Sequence, residues 1–149
     1  MSFISASANT PAFQAYPSSA QSISEVTFTK VTYGSETFDS DNNFASSAFT
    51  PTVAGKYFVY SNITVYPSAT SAMSICWNQI RKNGTGLYYL ALDNRGTATY
   101  LASFNVCAIV DMNGTTDYLE IYTYIDSTNN AGGTVDTNST FGAYRLIGV

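Results

Sequence analysis

The chain contains no histidine. That absence excludes Ser-His-Asp and Cys-His nucleophile systems, imidazole proton shuttles and every zinc site built with a His ligand. Charge is scarce too: charged residues are 11% of the chain, against about a quarter in an average domain. The basic residues are Lys30, Lys56, Arg81, Lys82, Arg95 and Arg145, scattered along a chain of net charge −4. Neutralising a phosphate backbone takes several clustered cations. No nucleic-acid partner is therefore expected, and no anionic membrane. No apolar run approaches the roughly 18 residues a spanning helix needs. The opening residues, Met1 to Ala6, have neither a basic start nor a continuous apolar stretch, so no secretory signal is read there. Cysteine is limited to Cys76 and Cys107, both in apolar runs. They read as buried free thiols, and a disulfide between two inward strand positions stays open.

What is present is hydrophobic and aromatic. Hydrophobic residues make up 45% of the 149 and aromatic ones 15%, with 12 Tyr and 9 Phe. Disordered chains lack such content. The length suits one domain with its own core. Ser, Thr and Asn supply about a third of the residues, so solubility rests on neutral polar groups. So many Tyr either tile sheet faces and edges or line an oligomer interface.

Hydrophobicity alternates with period 2, and helical periodicity is hard to find. From Gly55 to Tyr66 the odd positions Tyr57, Val59, Ile63 and Val65 oppose Phe58, Tyr60, Asn62, Thr64 and Tyr66. From Asp117 to Ile125, Leu119 and Ile121 oppose Tyr118, Glu120, Tyr122 and Tyr124. Further strands are expected at 12–15, 25–33, 72–82, 87–92, 99–110 and 141–147, where Val, Ile, Thr, Tyr and Phe are common. Turn signals separate them, among them Lys82-Asn83-Gly84 and Met112-Asn113-Gly114. Asn-Gly suits turns that need positive φ. Strand-sized runs with no helix between them predict an all-β antiparallel sandwich.

Four features of the sequence bear on possible chemistry. Asp39-Ser40-Asp41-Asn42-Asn43 starts like a calcium loop, but Phe44 and Thr50 stand where an EF-hand needs Gly and Glu. Asp39 and Asp41 are a weak calcium candidate, and a solvated turn is the plainer reading. Four sequons, at Asn62, Asn83, Asn113 and Asn138, are expected by chance in a chain so rich in Asn and Thr. Paired acids could serve a glycosidase, yet no motif supports any pair, so no enzyme and no cofactor is expected. Arg81-Lys82 at a turn is a small basic spot, suited to solubility or to an acidic partner or sugar.

In order along the chain stand Pro11-Ala12-Phe13-Gln14-Ala15, then Phe49-Thr50-Pro51-Thr52-Val53-Ala54-Gly55-Lys56-Tyr57-Phe58. Arg81-Lys82-Asn83-Gly84 and a closing Phe141-Gly142-Ala143-Tyr144 follow. This pattern resembles the C1q-like domain of the C1q/tumour-necrosis-factor superfamily, over residues 11–149. The resemblance implies a ten-stranded antiparallel jelly roll forming a homotrimer about a threefold axis, with an extended arm at 1–10. It places Tyr100, Phe104 and Phe141 closest to that axis, as stacked interface aromatics or as interior filling. Two departures exist: Gly114-Thr115-Thr116-Asp117 replaces a direct Gly-Asp, and the closing motif ends in Ala143-Tyr144.

No collagen repeat is present. The composition resembles the form of this domain found in bacteriophage structural proteins. It implies a non-enzymatic virion protein: a capsid decoration protein or a head or tail fibre component. The arm, through Phe3 and Ile4, would dock on the major capsid or fibre-base protein. The alternative is a lectin-like adhesion module that recognises host-surface glycans. Its candidate contacts are Tyr88, Tyr89 and Asp93, since aromatic rings beside acids suit sugar faces and hydroxyls.

Overall fold

A computed structural model describes residues 8–68 and 70–148. Among them are thirteen strands and no helix. These are β1 (Ala12–Tyr16), β2 (Gln21–Ile23), β3 (Thr29–Lys30), β4 (Ser35–Asp39), β5 (Phe44–Ala45), β6 (Ala48–Phe49) and β7 (Gly55–Pro67). They continue with β8 (Met73–Lys82), β9 (Thr85–Asp93), β10 (Ala102–Met112), β11 (Leu119–Ser127), β12 (Gly133–Val135) and β13 (Thr140–Arg145). The count exceeds the expected ten because five strands span only two or three residues.

The strands form two antiparallel sheets packed face to face. The seven-stranded sheet runs β2-β12-β7-β13-β1-β4, with β10 along the other side of β7. The six-stranded sheet runs β5-β6-β11-β8-β9, with β3 also beside β11. Strand β7 organises the first sheet: β10 pairs along Gly55–Val65, while β13 and β12 share the opposite side. Strands β9 and β10 each pair with one neighbour and lie close together, so both sheet edges open on the same side of the sandwich.

One expected strand shrinks. The run 25–33 keeps only Thr29–Lys30 as strand, because Val26 takes φ 50° and bends the chain out of the ladder. The cause lies beside it. The Glu25 carboxylate accepts hydrogen bonds from Ser127 N (2.7 Å), Ser127 Oγ (2.8 Å) and Gly132 N (2.7 Å). These bonds hold the segment against the β11–β12 connection instead of letting it extend.

The interior is aromatic at one end. Phe13 stacks between Phe44 and Phe49, at 4.6 and 4.4 Å between ring centroids, and meets Phe141 edge-on at 4.8 Å. The rest of the core is largely aliphatic, with Ile63, Val65, Ile80, Ile121 and Ile125 in the same buried cluster. Alternation sets this pattern, since inward positions are two residues apart on each strand. It also sets two of the three candidate axis rings inside the sandwich, the second of the two placements the pattern left open. Phe141 is 0% exposed and Phe104 is 7% exposed. Phe104 shares the inward row of β10 with Ala102, Val106 and Val110. Both rings fill the sandwich of their own chain, leaving Phe141 no surface and Phe104 little to offer a second copy. Tyr100, just before β10, is 61% exposed.

Candidate functional site

The outer face of the seven-stranded sheet is aromatic where solvent would favour polar groups. Strand β7 points Phe58 and Tyr60 outward, and the register sets Ile109 of β10 and Tyr144 of β13 on either side of Phe58. Phe58 and Tyr144 lie 5.4 Å apart, Phe58 and Tyr60 6.2 Å. The next row reads Cys107, Tyr60, Gly142, Gln14 and Phe38. Gly142 fits here for a steric reason: a Cβ would stand 2.3 Å from the Tyr60 hydroxyl and 2.4 Å from Cζ. Tyr60 thus lies flat across the sheet, and its hydroxyl accepts a hydrogen bond from Gln14 Nε2 at 2.9 Å. Ile109 is 55% exposed, and Phe38 and Tyr144 are exposed as well. The open edge adds Leu87, Tyr88, Leu90 and Leu101, all exposed.

The outer face of the six-stranded sheet carries a second cluster. Trp77 of β8 stacks on Tyr89 of β9 at 4.6 Å and 23°. Phe28 meets Trp77 edge-on at 5.6 Å and Tyr124 at 5.3 Å. The Arg81 guanidinium sits 3.9 Å from the Tyr122 ring centroid and 5.0 Å from that of Phe28. Its Nε donates to Gln79 Oε1 at 2.7 Å. Burial raises the Tyr124 phenol, and the charges of Asp126 and Glu25 raise it further, so this end of the cluster has an acidic margin.

The sandwich resembles solved structures at low sequence identity. The globular domain of zebrafish complement 1qA protein matches with TM-score 0.68 and 13% identity, covering 91% of this chain and 97% of that one. Murine APRIL matches with TM-score 0.65 and 12% identity, covering 91% and 98%. The fold is a C1q/tumour-necrosis-factor-like jelly roll. No family model and no curated protein matches the sequence. The likeness therefore speaks for the C1q-like fold and for nothing finer.

Within this C1q-like frame the three residues proposed for glycan contact do not form one site. Tyr88 and Tyr89 are neighbours on β9, so they point to opposite faces. Tyr89 joins Trp77, whereas Tyr88 stands on the open edge. Asp93 shares the Tyr89 face, but Arg95 grips its carboxylate in a salt bridge. The hydrogen bond from Arg95 holds that carboxyl down at about 2.

The acidic turn is occupied by its own backbone. Asp39 Oδ2 accepts from Phe44 N at 2.8 Å, and Asp41 accepts from Ser40 Oγ. Among the described residues no three of His, Cys, Asp and Glu gather as metal ligands. Three of the four sequon amides are also in use. Asn83 Nδ2 donates to Asp117, Asn113 Nδ2 to Thr116 and Asn138 Nδ2 to Asp136. Arg81 and Lys82 part company: Lys82 turns to Asp117 at 2.8 Å, and Arg81 joins the aromatic cluster.

Phe3 and Ile4 lie outside the described residues. The aromatic cluster on β8 and β11 was missed by sequence reading. Its signal was available: Trp77, Gln79 and Arg81 alternate on one strand, as Tyr122 and Tyr124 do on another.

Proposed function

We propose that this chain is a non-enzymatic structural protein of a bacteriophage particle, displayed on it as a homotrimer. The observation that carries the self-association is the outward row of Ile109, Phe58 and Tyr144 with Tyr60 beside it. Large apolar groups gathered on one face mark an interaction surface. The occupant is a second copy of the chain, because the same molecule offers a matching apolar edge at Leu87, Tyr88, Leu90 and Leu101. Face against edge is a heterologous contact, and such contacts close into rings when the rotation permits. The resemblance to the C1q-like domain supplies the threefold closure. Tyr100, beside that edge, is the remaining candidate for the axis. Attachment would run through the residues before Pro11, with the major capsid or a fibre-base protein as partner.

Native mass at micromolar and nanomolar concentrations tests the assembly. A mass near three times 16.1 kDa is the expected result, and a monomer throughout would overturn it. Mass spectrometry of purified particles tests the location. Peptides of this chain in stoichiometric amount support it, and their absence from intact particles sinks it.

A second reading has its own observation. The Trp77–Tyr89 stack lies on the sheet opposite the proposed contact face. It suits a pyranose ring laid on aromatic carbon, so the displayed module would bind glycans on a host surface.

A further inference from the structure

We infer that the outer face of the six-stranded sheet takes an acidic sugar, with Arg81 receiving the carboxylate and the Trp77–Tyr89 stack receiving the ring. This rests on the glycan reading above and names its ligand class.

The argument begins with Arg81. Four cations in the described chain have a carboxylate partner: Lys30 with Glu120, Lys56 with Asp111, Lys82 with Asp117 and Arg95 with Asp93. Among the described residues Arg81 has no such partner, although Glu120 is its direct neighbour across the ladder. Glu120 is turned to Lys30 Nζ at 2.6 Å. Arg81 is nevertheless fixed in place. Tyr122 and Phe28 hold its guanidinium by cation–π contact, and Gln79 takes its Nε. A guanidinium bound through Nε keeps its two terminal nitrogens for a bidentate carboxylate. Gly86 maintains the arrangement. A Cβ there would stand 2.6 Å from Gln79 Nε2 and 3.0 Å from Cδ, so a side chain at 86 would displace the residue that steers Arg81.

The ring site is adjacent. Phe28 touches both Arg81 and Trp77, so the cation stands one aromatic ring away from the indole. At the other end, Asp126 follows Tyr124 by two residues on the same outward row of β11; Asp93 lies across β8 from it with its carboxylate already held by Arg95. The platform is cationic at one end, aromatic in the middle and acidic at the other. A uronic-acid type of sugar matches that order, with carboxylate to Arg81, ring on Trp77 and hydroxyls toward Asp126. A polynucleotide does not: its phosphates recur along the whole chain, and the acidic end and the net charge of −4 repel them.

Trp77 is the only tryptophan in the chain, so tryptophan emission, excited at the red edge where the 12 tyrosines do not absorb, reports on this platform alone. The experiment titrates the full-length protein with a galacturonate trisaccharide, its methyl ester and a single-stranded oligonucleotide. Expected is a saturable change with the acid form, bound about tenfold tighter than the ester. Arg81→Gln should bring the acid down to the ester's affinity and leave ester binding unchanged. Gly86→Ala should do the same in part. Equal affinity for acid and ester overturns the role of Arg81 while the glycan reading stands. No saturable change with either sugar overturns both. Tighter binding of the oligonucleotide overturns the choice of ligand. Native mass and melting temperature, measured on the same variants, show that they are folded and assembled as the parent is. They also separate the outcome from the trimer proposal, whose apolar face lies on the opposite sheet but whose edge residues Leu87, Tyr88 and Leu90 share β9 with Gly86 and Tyr89.

Discussion

Asn78 on the six-stranded sheet and Ser61 on the seven-stranded sheet hydrogen-bond to each other across the sandwich interior. Ser61 Oγ donates to Asn78 Oδ1 at 3.1 Å, and Asn78 Nδ2 donates to the Ser61 carbonyl at 3.0 Å and the Phe104 carbonyl at 3.3 Å. Both residues are fully buried. A paired polar group in a core contributes modestly, whereas an orphaned one costs its whole desolvation. Asn78→Leu should therefore lower stability by about 2 kcal/mol, read as a drop in the urea midpoint at unchanged slope. Adding Ser61→Ala should restore part of the loss, because no hydroxyl is then stranded.

The interior and the proposed contact face are separable by substitution. Phe141 packs against Phe13, Tyr33 and Phe44 inside one chain. Phe141→Ala should lower stability by about 3–5 kcal/mol while the folded protein keeps its native mass. Ile109→Asp stands outward on β10 and should do the reverse. It lowers the native mass at a given concentration and leaves the far-ultraviolet signature of the folded chain intact. If Ile109→Asp leaves a trimer undisturbed, the apolar face is not where the copies meet.

The sandwich was legible because alternation is a local signal with a large consequence. In β7 every second residue from Tyr57 to Val65 is buried, and those are the positions the sequence pattern selects. The Asn83-Gly84 hairpin was legible for the same reason, with both residues at positive φ (53° and 78°) as its turn requires. Long-range chemistry was not. Nothing near Glu25 announces that its carboxylate binds Ser127 and Gly132, about a hundred residues away, and that contact decides why 25–33 is not one strand. Phe104 and Phe141 show the limit of a resemblance. A family pattern places a ring on a strand, but only the phase of the pleat says which side it faces. The Trp77 cluster joins β8, β9, β11 and the residue before β3, so no single window of sequence contains it.

Acid should loosen one end of the molecule first. Asp117 joins the two Asn-Gly turns: its carboxylate accepts from Asn83 Nδ2 at 2.8 Å and Asn113 N at 2.9 Å, and pairs with Lys82. The hydrogen bond from Lys82, then that from Asn83, holds its pKa below the ordinary carboxylate value. A depressed folded pKa means the unfolded chain takes up the proton first. The stabilisation is therefore complete above the unfolded value, about 3.9, and is lost as pH falls through the lower folded value. Urea midpoints measured across that range should fall for the parent. For Asp117→Asn they should start lower and fall less. Parallel curves for the two proteins would show that other carboxylates govern the acid limb.

The two thiols should behave as opposites, and one of them reports on assembly. Cys76 is fully buried between the sheets, and burial pushes its pKa up to about 12. It has neither thiolate at neutral pH nor access to reagent, so it should react only on unfolding. Cys107 is free and exposed on the outer face of β10, directly across from Tyr60. A chromogenic disulfide reagent should therefore label one thiol per native chain at low concentration and two in denaturant. Cys107 lies in the same row as Tyr60 and Gly142, within the proposed contact face. Its labelling rate should fall as the protein is concentrated, in step with the rise in native mass. A rate independent of concentration alongside a trimeric mass would move the contact to another surface of the molecule.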